Sequence, residues 1–211
     1  TTYAYFVASA GPREVAWLAR ELNYRFEVRL ARKLQSATSA ALGGSAPEGP
    51  DWAARVAFRR ERQQAALESL RRLDPAFDPH PWQTQATTLA DAAWARARDV
   101  LDDWRVPEQE TLPEEAAKLI PARRYRGPIS LQPYLRHLPA DERADAKAMV
   151  RKHGEFMDLP ADVALYWADG LRNLGDILRL TELETDVRDP AGLLAYFQLL
   201  ARLGLVELRT A

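Results

Sequence analysis

Pro121–Pro128 holds the side chains best suited to gripping an anion: Arg123, Arg124 and Arg126 surround Tyr125 in a segment framed by prolines. Guanidinium groups interleaved with an aromatic ring can hold phosphates and stack on bases, so these four residues are the candidate anion or nucleic-acid contact. The competing reading is an exposed connector whose arginines pair with the acidic C-terminal part of the chain. Arg55, Arg59, Arg60 and Arg62 form a second basic cluster, but Glu61 and Glu68 accompany it on a helical pattern, which favours a solvated, ion-paired face. Histidine occurs only at His80, His137 and His153, with neither a His-x-x-x-His nor a Glu-x-x-His spacing, so a helical zinc or di-iron site is not indicated. The carboxylate pairs Asp102/Asp103 and Glu114/Glu115 are adjacent and diverge on a helix, unlike a glycosidase dyad. There is no Gly-x-Ser-x-Gly elbow, and Gly43–Pro50 lacks both phosphate-loop signatures. With no cysteine, disulfides, thiolate metal sites and a Cys nucleophile are excluded. The reading assigns no catalytic residue, no metal and no cofactor.

The elements that must position these residues read as helices. Pro12 opens a helix on which Val15, Leu18, Leu22, Phe26, Leu30 and Leu34 recur at steps of three and four. Residues 24–30 also alternate as a strand would, and residues 1–7 form an apolar run that periodicity leaves open between strand and arm. Asp51 is placed to cap a second helix over 52–73, with Trp52, Val56, Leu67, Leu70 and Leu73 inward. A third runs over 82–104, where Leu89, Ala93, Val100 and Trp104 form the expected seam against the first. Thr111-Leu112-Pro113-Glu114 has the form of a capping box for a short helix ending before Pro121. Short helices follow over 130–138, 140–153, 160–168, 171–183 and 190–203. Asp158 and Asp189 precede prolines as candidate N-caps, and Gly204 supplies the last stop. The expected fold is all-α: a long-helix bundle over 1–105 with a Gly/Pro linker at 43–50, then a compact orthogonal array of short helices over 106–211.

Charge adds little. The formal net charge is −1; residues 1–80 carry 12 Lys/Arg against 9 Asp/Glu, while 158–211 carry 5 against 9. That mild polarity is no nucleic-acid footprint. No apolar run is long enough to span a bilayer and residues 1–10 lack a signal-like basic start, so the expected location is cytoplasmic, without membrane contact. The aromatic residues Trp94, Trp104, Tyr196 and Phe197 sit at helical spacing, as core or interface.

One stretch carries a resemblance. The pattern Leu159-Pro160-x-Asp162-Val163-Ala164, Leu174-x-Asp176-Ile177-Leu178-x-Leu180, Asp186-Val187 and Ala195-Tyr196-Phe197-x-Leu199-x-x-Arg202-Leu203-Gly204-Leu205-x-x-Leu208-Arg209 resembles the helical C-terminal region of the large bacterial NAD-specific glutamate dehydrogenases, over residues 140–209. In that family the dinucleotide and glutamate sites belong to a separate catalytic region, so no catalytic residue carries over. The resemblance implies a helical accessory domain that packs against other domains or subunits. The expected function is accordingly a non-catalytic interaction, regulatory or oligomerisation domain with a protein partner or self-association. Two alternatives stand beside it. One is a nucleic-acid-binding regulator in which helices 171–183 and 190–203 and the terminal Leu205–Leu208 segment mimic a helix-turn-helix with a rudimentary wing. The other is a small-molecule-binding helical protein or enzyme with a dispersed site between helices.

Overall fold

The computed structural model describes residues 12–43, 50–101, 106–125, 127 and 129–210. Residues 1–7, most of the Gly/Pro linker, Trp104 and Arg126 lie outside them. The chain is all-α, with one two-stranded sheet among its described residues, and it divides into two compact units at Pro107/Glu108.

The first unit is built on α1 (Pro12–Leu42), α2 (Trp52–Ser69, extended by a 3-10 turn at Leu70–Arg72) and α3 (His80–Leu101). Residues 24–30 are helical, because the three/four spacing of apolar residues runs through them without a break. Asp51 caps α2 by accepting from the Ala54 N–H at 2.8 Å. Val15, Ala19, Leu67, Leu70 and Ala86 make one buried cluster, and Leu30, Leu34, Val56, Ala90, Ala97 and Leu101 another. On α1 and α2 a polar residue falls between them, Asn23 and Gln63. The buried Asn23 donates to the Trp82 carbonyl at 3.0 Å and to Gln85 Oε1 at 2.9 Å, and accepts from Gln63 Nε2 at 2.9 Å, tying all three helices in one register.

The seam on α3 differs from the expected one. Its fully buried positions are Ala86, Ala90, Ala97 and Leu101, whereas Leu89, Ala93 and Val100 are half-buried. Alanine lets the neighbouring backbone approach closely, so the small residues take the seam and the larger apolar ones its margins. Ala93 and Trp94 pack on the second cluster from the side.

The second unit comprises α4 (Glu114–Ala117), β1 (Leu119–Arg123), α5 (Leu131–Leu135), α6 (Ala140–Lys152), α7 (Gly154–Met157), α8 (Leu159–Trp167), α9 (Leu174–Thr185), α10 (Pro190–Arg202) and β2 (Val206–Thr210). The connector expected over 121–128 begins inside a strand: β1 pairs antiparallel with β2, Leu119 opposite Thr210 and Arg123 opposite Val206. Pro121 is tolerated because its missing N–H faces away from β2. Arg124 N–H donates to the Leu205 carbonyl, so by alternation Ala122 and Ile120 also face β2. The Pro121 carbonyl instead accepts from Gly170 N–H at 3.1 Å, and Ala122 forms an isolated bridge with Asp169.

Two expected caps are not made. Pro113 stands at the start of α4 with no side-chain cap, so Thr111 does not form its box, and Asp158 makes no capping bond to α8. Asn173 does cap α9, accepting from Asp176 N–H at 2.8 Å, and Asp189 caps α10, accepting from Gly192 N–H at 2.7 Å. Gly204 ends the last helix at φ +70°, a conformation that costs glycine no Cβ clash.

Candidate functional site

The arginines around Tyr125 are tied to the end of the sheet. Arg123 Nε donates to the Ala168 carbonyl at 3.2 Å, and the Arg124 guanidinium lies 3.5 Å from Glu207, which also accepts from Arg209 at 3.1 Å. Those bonds, Arg209 first and Arg124 after it, hold the Glu207 carboxyl below the ordinary carboxylate range. The phenol of Tyr125 is half-buried, its hydroxyl shielded and without a hydrogen-bond partner, and burial pushes its pKa up to about 12, with Tyr134 and Asp162 adding to the effect. Two of the three arginines therefore work within the fold. The segment offers an anion a sheet corner with a carboxylate already seated on it.

The helix pair α9 and α10 is where a nucleic-acid reader would make contact. α9 ends at Asp186 in the left-handed region, φ 68°, and Arg188 steadies the turn by pairing with Glu182 at 2.7 Å and donating to the Glu110 carbonyl at 3.0 Å. In such a pair the second helix must present polar or basic side chains to a groove. Here α10 is enclosed: Leu193, Tyr196, Phe197, Leu199 and Leu200 are all buried. Leu199 packs with Leu135 and Ala146, and Tyr196 meets Phe156 edge-on at 6.3 Å. Burial raises the Tyr196 pKa strongly. The exposed positions on α10 are Ala191, Gln198 and Arg202, of which one is cationic.

Sequence spacing gave no sign of the contact between His153 and Asp189, which lie 36 residues apart. His153 Nδ1 is 2.6 Å from Asp189 Oδ2, while Oδ1 of the same carboxylate caps α10. Both groups crowd Gly192, where an added Cβ would meet Asp189 Oδ2 at 2.5 Å and His153 Nδ1 at 3.0 Å. One carboxylate thus joins the end of α6 to the start of α10. Among the described residues no serine, threonine or second carboxylate bonds to the pair to complete a triad. His80 and His137 are exposed, and among the described residues no group of His, Asp and Glu could hold a metal ion.

In the first unit Arg55 is buried against the Trp52 ring, 5.8 Å from its centroid, and Arg60 pairs with Asp91 at 3.1 Å, not with the neighbouring Glu61. Lys33 lies near this basic side of α2. Burial first, then Arg59 and Arg55, push its pKa down to about 8. A groove of about 320 Å³ opens between α1 and α3, lined mainly by Ala31, Leu34, Ala93 and Ala97. Of its polar lining residues Gln35, Thr38, Ser39 and Arg96, two turn back on their own helices, Thr38 donating to the Leu34 carbonyl and Arg96 Nε to the Ala92 carbonyl.

No family model matches the chain, and neither does any curated protein or solved structure. Among the described residues no helix is long and apolar enough to cross a membrane.

Proposed function

We propose that the chain is a non-catalytic helical interaction domain that works through protein contacts. The observation that supports this most is the enclosure of α10, whose side chains are committed to the core of the second unit and leave one arginine outward. A groove reader needs several polar or basic residues there, and phosphate contacts need free cations, whereas Arg123 and Arg124 are engaged at the sheet corner. Exposed apolar side chains point the same way: α8 presents Leu159 and Tyr166 outward, 64% and 58% exposed. An accessory role beside the catalytic part of a large NAD-dependent glutamate dehydrogenase, the family that residues 140–209 resemble, would suit such a domain.

The test is a fluorescence anisotropy titration of mixed-sequence DNA and RNA with the full chain, at about 50 and about 200 mM salt. The reading expects no saturable binding at either salt. Tight binding that collapses at the higher salt and weakens in Arg124→Ala would overturn it in favour of the nucleic-acid regulator.

A further inference from the structure

Seven large hydrophobic side chains stand exposed among the described residues, and four of them fall on two helix faces with the same spacing: Trp17 and Tyr24 on α1, Leu159 and Tyr166 on α8. Each pair is separated by seven residues, two turns of helix, and each holds one charged residue three positions after its first member. On α1 that residue is Arg20; on α8 it is Asp162. At 100° per residue Trp17, Arg20 and Tyr24 lie within about 60° of arc, and so do Leu159, Asp162 and Tyr166. Both charged side chains are exposed, and neither has an ion pair among the described residues.

Arg13 lies one turn earlier on the same face of α1, exposed, while Glu27 stands three positions after Tyr24 and Glu21 pairs with Arg25. Around α8 the chain carries Glu155, Asp158, Asp162 and Asp169, the last paired with Arg172. Arg20 and Asp162 thus carry opposite charges at equivalent positions between exposed apolar side chains.

We propose that these stripes are the two halves of one contact between two copies of this chain: α1 of one copy docks on α8 of the other. Trp17 then lies beside Leu159, Arg20 beside Asp162 and Tyr24 beside Tyr166. The apolar side chains exclude water from the central ion pair, and that pair sets the register. The two surfaces differ, so the contact is heterologous and propagates head to tail unless a ring closes it. A two-turn contact buries less than a standard interface, so association is weak and builds up with concentration. This inference rests on the interaction reading above and names its partner.

The experiment is sedimentation equilibrium of the full chain from about 1 to about 300 µM, for wild type, Arg20→Glu, Asp162→Arg and an equimolar mixture of the two variants. The wild-type mass is expected to rise with concentration. Each single variant is expected to associate at least about tenfold more weakly, because it sets like charges opposite each other. The mixture is expected to recover association, since each variant keeps the half the other has lost; recovery also shows that both variants fold. A wild type that stays monomeric throughout, variants that associate as tightly as wild type, or a mixture that fails to recover would each overturn the proposal. Capture of a labelled single-stranded oligonucleotide, lost in Trp17→Ala, would assign the α1 stripe to nucleic acid and would sink the interaction reading as well. A monomeric wild type that ignores nucleic acid sinks only the self-contact.

Discussion

Replacing Phe197 by alanine probes the enclosure of α10 directly. The ring is fully buried and packs edge-on against Tyr196 with centroids 5.6 Å apart. Truncation removes roughly 120 Å² of buried apolar surface, about 3 kcal/mol at about 25 cal/mol per Å². If the site closes only in part, a remaining cavity of roughly 60 Å³ adds about 1.5 kcal/mol. The expected loss is therefore about 3–5 kcal/mol. That is a large fraction of the stability of an ordinary domain, about 5–15 kcal/mol. The assay is urea denaturation of the full chain labelled with 5-fluorotryptophan, followed by fluorine NMR. Of the six tryptophans, only Trp167 lies in the second unit, so its resonance reports that unit alone. Leu159→Ala is the control, expected to change stability by less than about 0.5 kcal/mol because the side chain is largely in water. A Phe197→Ala loss under about 1 kcal/mol would show the ring to be exposed and free α10 for recognition.

Other perturbations have equally definite signs. Gly192→Ala should destabilise the second unit by about 1–3 kcal/mol in the same urea series, since the new methyl group enters the space held by Asp189 and His153. Asn23→Ala should cost the first unit about 1–3 kcal/mol by leaving the Gln63 amide and the Trp82 carbonyl without their buried partner, read from the tryptophans of that unit. Alkaline pH should destabilise the second unit, because Tyr125 is neutral in the fold up to about 12 but ionises from its ordinary value of 10.0 once unfolded. The unfolded chain releases the proton first, so stability falls as pH climbs through that window, and Tyr125→Phe should flatten the fall in a thermal melt series. Lys33 works in the opposite sense: its folded pKa of about 8 lies below its ordinary 10.5, so the unfolded chain holds the proton more tightly. Its contribution makes the first unit more stable as pH rises from about 8 toward 10.5, a rise that Lys33→Met should remove.

The long helices were legible because their signals are local. A 3.6-residue apolar period, an Asp one position ahead of α2 and a glycine after α10 act over a few residues and leave little for tertiary contacts to change. The α3 seam was harder to read. Leu89 and Val100 outweigh alanine on any hydrophobic scale, yet the close approach of α1 favours Ala86, Ala90 and Ala97 at the centre. Residues 119–123 were missed as a strand because its partner, Val206–Thr210, lies more than eighty residues away and Pro121 suggests a break. The pairing tolerates that proline only because of which side its nitrogen faces. His153 and Asp189 left no sequence signal, as nothing at a spacing of 36 residues distinguishes a cap shared with an imidazole from an ordinary cap. Counting cations marked Arg123 and Arg124 as candidate anion contacts; their bonds to the Ala168 carbonyl and to Glu207, 45 and 83 residues away, leave no sequence signal.

Most direct for the interaction reading is light scattering of the full chain with an excess of a mixed-sequence DNA duplex, at about 50 and about 200 mM salt. The account predicts scattering masses made of protein alone at both salts, with the duplex eluting separately. A peak that carries the mass of the duplex at low salt, loses it at high salt and weakens in Arg124→Ala would contradict it.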